Sequence, residues 1–218
     1  MTFEMIQKDA AIRTYIQQAD VSLAVLGYTE HSFAHVTQVA RTAGQLLQKL
    51  GYPERTVELA KIAGYMHDIG NVVNRTDHSQ SGAVMAFRLL DKMGFPPEEI
   101  AVIVSAIGNH DEGTGVPVSP VAAALILADK SDVRRSRVRS KDIAGFDIHD
   151  RVNYSVTDAA LQVNDTCTEV TLELTVDTQF SPVMDYFRIF MERMNLCRQA
   201  AGTLGLEFRL TVNGQKML

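Results

Sequence analysis

The sequence predicts a mainly α-helical core followed by a small α+β appendix of order β-β-α-β. Three observations carry this expectation. Apolar residues recur at spacings of three and four from Ser32 onward. After about residue 150 the pattern changes to alternation, with Val170, Leu172, Leu174 and Val176 set against Glu169, Thr171, Glu173 and Thr175. Gly51, Pro53, Pro96-Pro97, Gly113, Gly115, Pro117 and Pro120 punctuate the periodic stretches. The expected division is residues 1–148 for the helical part and 149–218 for the appendix.

The first part reads as helices. From Ser32 to Leu50 the stripe is Val36, Val39, Ala40, Ala43, Leu46, Leu47 and Leu50. Gly51 ends that helix, and Pro53 with Glu54 opens the next, which runs through Ile62 and Met66 into His67-Asp68-Ile69-Gly70. A third helix starts near Asp77, and a fourth runs from Pro96-Pro97 to about Ile107. Gly113, Gly115 and Pro117 mark a loop. Ser119-Pro120 then supplies an N-cap and first position for a helix through Asp132. In the appendix, Arg151 to Asn164 reads as a strand with a phase slip at Thr157-Asp158. Ser181-Pro182 opens an amphipathic helix through Cys197, and the alternation of Leu206, Phe208, Leu210 and Val212 gives a last strand. The expected sheet is antiparallel with one covering helix.

Composition excludes several classes. Hydrophobic residues are 46% and charged residues 22%, which rules out general disorder. A net charge of −5 gives no global attraction to nucleic acid or anionic membranes. Cys167 and Cys197 form no CxxC pair, so neither a zinc ribbon nor a disulfide framework is expected. The longest apolar run, Val121 to Ala128, is too short to span a bilayer. Glu4, Lys8, Asp9 and Arg13 stand where a signal peptide needs an apolar core. The expected compartment is the cytoplasm.

Five of the six histidines fall between residues 31 and 110: His31, His35, His67, His78 and His110. Asp68 directly follows His67, and Asp129 follows the apolar run ending at Ala128. A carboxylate that continues a buried helix costs several kcal/mol unless it is paired or binds a metal. Lys130 is next to it but points about 100° away around the helix, which favours a metal as the partner. Imidazoles and carboxylates together suit Mn, Fe, Co or Zn.

The order His35, His67-Asp68, Asp129 on successive helices resembles the HD-domain superfamily of metal-dependent phosphohydrolases. Met66-His67-Asp68-Ile69-Gly70 matches its HDIG signature. His35-Val36-Thr37-Gln38-Val39-Ala40 matches its first-histidine helix, and Ala128-Asp129-Lys130 its closing aspartate. The resemblance covers about residues 25–140. It implies a helical core around a divalent-metal site, Mg also being admitted, with one or two ions. His35, His67, Asp68 and Asp129 would hold the first, and His78 and His110, with Asp68 bridging, a second. Helical phase and the motif register both place His35 rather than His31 as the first ligand, with His31 as an outer or substrate-binding group. The stretch Asn109-His110-Asp111 departs from the HD-GYP branch, which has two adjacent histidines, a longer spacer and Gly-Tyr-Pro.

The resemblance implies hydrolysis of a phosphate ester or anhydride, by a phosphomonoesterase or phosphodiesterase, often on a nucleotide. Asp68 and Lys130 are the candidate catalytic residues. A basic run follows Asp129: Lys130, Arg134, Arg135, Arg137, Arg139 and Lys141. If the helix persists, Lys130, Arg134 and Arg137 share one side, where arginine grips phosphate bidentately. Arg75 and His31 are further substrate-binding candidates. The expected partner is a small-molecule phosphate, with no membrane and no nucleic acid. The appendix would close the site, form a homodimer or bind a regulator. The alternative is a regulatory protein that binds metal or nucleotide without turnover.

Overall fold

The structure is a computed structural model and describes residues 1–140, 142 and 145–218. Lys141, part of the basic run, lies outside the described residues. Helices occupy Phe3–Lys8 (α1), Ala10–Val25 (α2), Phe33–Lys49 (α3), Glu54–Met66 (α4), His78–Lys92 (α5), Pro97–Gly108 (α6) and Pro120–Ser131 (α7). Helices α3 to α6 carry the periodic stripes seen in the sequence, whereas α1 and α2 precede the first stretch read there. Their starts are marked by Asp9, Ser32 and Ser119, which accept N-terminal backbone N–H groups of α2, α3 and α7. The central helix is α7: every residue from Val121 to Ala128 is buried, enclosed by α3, α4, α6 and α9 (Val183–Thr203). This packing explains why its stretch is apolar on all sides.

The remaining elements are α8 (Ile148–Ser155), β1 (Val156–Val163), β2 (Glu169–Val176), β3 (Glu207–Val212) and β4 (Gln215–Lys216). They form one sheet in the order β1-β2-β3-β4, with α9 against its inner face. Val170, Leu172, Leu174 and Val176 are buried, as their alternation requires. The mainly helical class with a small α+β appendix is thus observed.

Three local expectations are corrected. The sheet is mixed, because β2 and β3 run parallel. A 21-residue helix joins them, and such a crossover returns the chain to the starting end of the sheet. The strand expected from Arg151 begins only at Val156. Asp147 accepts the Asp150 N–H and caps the short helix α8, which takes the preceding residues. The phase slip is real and appears as a register shift between Val156 and Asp158. Helix α7 ends at Ser131, so Lys130, Arg134 and Arg137 do not share a helical side. The chain leaves the helix at Asp132 and enters a 3₁₀ turn at Arg135–Arg137. Among the described residues no helix is long and apolar enough to cross a membrane.

Candidate metal centre

Four imidazoles and two carboxylates converge at the inner ends of α3 to α7. His67 closes α4, His78 opens α5 and His110 follows α6. Each turns its Nδ1 onto the carbonyl three residues back: His67 to Gly64 at 2.8 Å, His78 to Arg75 at 3.0 Å and His110 to Ile107 at 2.6 Å. A carbonyl only accepts, so Nδ1 carries the proton and the Nε2 lone pair is left free. His35, on α3, reaches the same state differently. Its Nδ1 faces Asp132 Oδ2 at 2.7 Å.

The carboxylates lie among these lone pairs. Asp68 Oδ2 is 3.2 Å from His67 Nε2 and 3.5 Å from His35 Nε2, while its Oδ1 is 3.5 Å from His78 Nε2. Asp129 Oδ1 lies 3.3 Å from His35 Nε2 and 3.5 Å from His67 Nε2. The Nε2 atoms of His78 and His110 face each other at 3.2 Å. Two lone pairs at that distance repel unless a positive charge lies between them. His35 Nε2, His67 Nε2 and Asp68 Oδ2 are buried without a hydrogen-bond partner, which a native interior rarely tolerates.

This donor set fits a metal ion. Two overlapping groups have the required closeness, one of His35, His67 and Asp129 and one of His67, Asp68 and His110. The electrostatics agree. Burial disfavours a charged His67, yet Asp68 and Asp129 outweigh it and raise the imidazole to about 10. Burial pushes Asp68 up, but His67, His31 and His35 hold it well below the usual carboxylate range. A field of this sign attracts a cation.

The HDIG glycine has a steric cause. A Cβ on Gly70 would overlap the His78 carbonyl oxygen and come within 2.5 Å of the Gly82 nitrogen. Only glycine lets the 3₁₀ turn at Ile69–Val72 lie against α5, which sets Asp68 beside His78.

A cavity of about 590 Å³ opens onto this cluster, lined by His31, Asp68, Arg75, His78, His110, Asp129, Lys130 and Arg137 among others. His31 gives its Nδ1–H to the Thr29 carbonyl at 2.7 Å. Arg75 lies near Asn71 and His78. Arg137 is buried; its Nε–H bonds the Glu30 carbonyl and its Nη1 the Asp132 carbonyl. Arg134 does not line this cavity. It bonds Asp132 at 2.7 Å and faces another depression with Arg135, because the chain turns away after Ser131. Lys130 also departs from the expectation of pointing away from Asp129. Its flexible stem folds back, placing Nζ 2.8 Å from Asp129 Oδ2 and 3.4 Å from Glu112 Oε2.

Sequence reasoning missed Asp132, Glu112 and Arg193. Asp132 lies three residues past Asp129, a spacing that could have flagged it. Nothing in the local pattern distinguishes Glu112 or Arg193.

Over residues 32–135 the chain matches the family model described as HD domain. It is 25% identical over 162 residues to the uncharacterized protein MJ1020 of Methanocaldococcus jannaschii, covering 64% of this chain and 62% of that one. It is 30% identical over 122 residues to ribonuclease Y of Fervidobacterium nodosum, covering 55% of this chain and 21% of the relative. Against ribonuclease Y of Enterococcus faecalis it is 27% identical over 168 residues, 66% of this chain and 30% of the relative. The chain thus spans less than two thirds of each of these relatives. A crystal structure described as a predicted HD superfamily hydrolase from an uncultured Thermotogales bacterium aligns over 60% of this chain and 73% of that one. The TM-score is 0.47 and the identity 23%.

Proposed function

We propose that the chain is a metal-dependent phosphohydrolase acting on a small phosphate ester or anhydride, of a nucleotide or related compound. The observation that carries this is the placement of Asp68, one oxygen near His35 and His67 and the other near His78. His35, His67, Asp68 and Asp129 would hold one divalent ion; His78 and His110 would share Asp68 with a second. A bound transition metal supplies Lewis acidity toward a phosphoryl oxygen and toward water.

The chain's own residues do the rest. Arg137, Arg75 and His31 line the approach to the cluster, and the two guanidinium groups offer donors to phosphate oxygens. Lys130 offsets the charge of Asp129 and, lining the same cavity, would stabilise charge developing on a phosphoryl group. Buried helices behind the histidines keep bulk water from that side.

The test is metal analysis of the purified protein, followed by assay with added Mn²⁺. The panel contains nucleoside mono-, di- and triphosphates, cyclic nucleotides and a short RNA. Metal-dependent release of phosphate or a mononucleotide, lost in Asp68→Ala, is expected. Full metal occupancy without turnover on any of these would replace this reading with a regulatory one. Turnover of RNA alone would move the substrate class to polynucleotides.

A further inference from the structure

The cavity is completed by α8 and α9, both beyond residues 32–135. On α9 stands Arg193, whose side chain is 21% exposed at the cavity wall. Its Nε–H donates to Glu112 Oε1 at 2.7 Å. Among the described residues its two terminal nitrogens make no hydrogen bond. A guanidinium carries five N–H donors and gives up its water reluctantly only to good acceptors. Four donors left uncommitted beside a candidate metal centre fit an anion better than a structural pin.

Arg193 is also held ready. Its guanidinium lies over the Phe190 ring, 4.0 Å from the centroid, which fixes the plane of the fork. Glu112, its partner, is on the loop after His110, and that loop is fastened along α9. A Cβ on Gly115 would meet Asp111 and Asn109 carbonyls and approach Leu196 to 3.2 Å, and Thr203 Oγ1 bonds the Pro117 carbonyl at 3.2 Å. A preordered cation loses little freedom on binding.

We infer that Arg193 is a substrate-binding, specificity-determining residue: it grips phosphate oxygens of a compact ligand, and through it the C-terminal part selects the substrate. The inference rests on the phosphate-directed reading above. A cavity of about 590 Å³ is in the range that holds one small molecule, so the ligand class is a mononucleotide-sized phosphate.

The experiment titrates inorganic phosphate into the full-length protein by calorimetry, as purified and after Mn²⁺ loading, for wild type, Arg193→Lys and Arg193→Ala. Lysine keeps the charge beside Glu112 but loses the fork. Phosphate affinity should fall roughly ten- to hundredfold in both variants, with metal content and Tm of Arg193→Lys unchanged. Unaltered phosphate affinity in folded Arg193→Lys would overturn the inference and return Arg193 to a pin for Glu112. A wild type that takes up no metal, yet loses phosphate affinity in Arg193→Lys, would support Arg193 while sinking the metal-dependent reading. If Arg193→Ala fails to fold, the lysine variant alone decides.

Discussion

His35 Nδ1 lies 2.7 Å from Asp132 Oδ2, with both side chains buried. The carboxylate fixes the imidazole tautomer and rotation, so Nε2 faces Asp68 and Asp129. Asp132 is itself held by Arg134 and by the more distant Arg137; the hydrogen bond with His35, and after it these cations, keep its carboxyl well below the usual range despite burial. Asp132 is thus a positioning residue. Asp132→Asn should lower metal affinity about ten- to hundredfold while the far-ultraviolet circular dichroism is preserved. Wild-type affinity in that variant, measured by competition with a chelating dye, would show that His35 needs no such partner.

Gly70 gives a packing prediction. Its missing Cβ is what allows the turn after Asp68 to touch α5. Gly70→Ala must push backbone against backbone, which does not yield as a side-chain tip would. We expect a loss of about 3 kcal/mol or more in urea unfolding, at the upper end of overpacking costs, together with weaker metal binding. A loss under about 1 kcal/mol would mean that α5 moves aside freely.

The raised imidazole of His67 gives a pH prediction for metal-free protein. Its ordinary value is 6.5 and its value in the fold is about 10. The folded state therefore binds a proton that the unfolded state releases between these values. The resulting stabilisation is complete below pH 6.5 and disappears as pH rises through about 10. His35 is raised as well, by its hydrogen bonds to Asp129, Asp132 and Asp68 against the cost of burial, and adds to the same window; His31, His78 and His110 are lowered, burial being the main cause, so their window lies below 6.5 and does not overlap. Tm of the metal-free protein should fall between pH 6.5 and 10. Metal must displace that proton, so the Tm gained on adding Mn²⁺ should grow over the same range. A pH-independent gain would place the metal away from His67.

These expectations show what the sequence could and could not reveal. The helices α3 to α7 were legible because their apolar stripes are unbroken and their ends carry Ser, Pro or Gly signals. Strand direction was not, since alternation marks which face is buried and says nothing of whether β3 runs with or against β2. Helix α8 is short and mostly polar, so its residues merged with the strand that follows. The order of His35, His67, Asp68 and Asp129 was visible, and the structure brings those residues together. Asp132 and Arg193 were not singled out. One lies past a helix end, and the other resembles any charged residue on the outer side of an amphipathic helix. Reading Lys130 by its position around α7 failed because a four-carbon stem can curl back on its own turn.

The break of α7 at Ser131 separates two arginines that helical spacing had grouped. Arg137 is buried and lines the cavity, while Arg134 faces Asp132 outside it. Arg137→Ala would remove donors from the Glu30 and Asp132 carbonyls and leave both under-satisfied, a cost of about 1–3 kcal/mol per group. It would also remove a cation from the approach to the cluster. Arg137→Lys separates the two effects, since it restores charge and at least one donor. We expect KM for a phosphate substrate to rise about tenfold or more in Arg137→Lys with kcat changed less, and Tm to fall most in Arg137→Ala. Arg134→Ala removes a partly exposed ion pair, worth at most about 1 kcal/mol, and should leave KM within twofold of wild type. Steady-state kinetics at low ionic strength, where charge effects are least screened, would decide. A larger KM effect from Arg134 than from Arg137 would put the phosphate on the other side of Asp132.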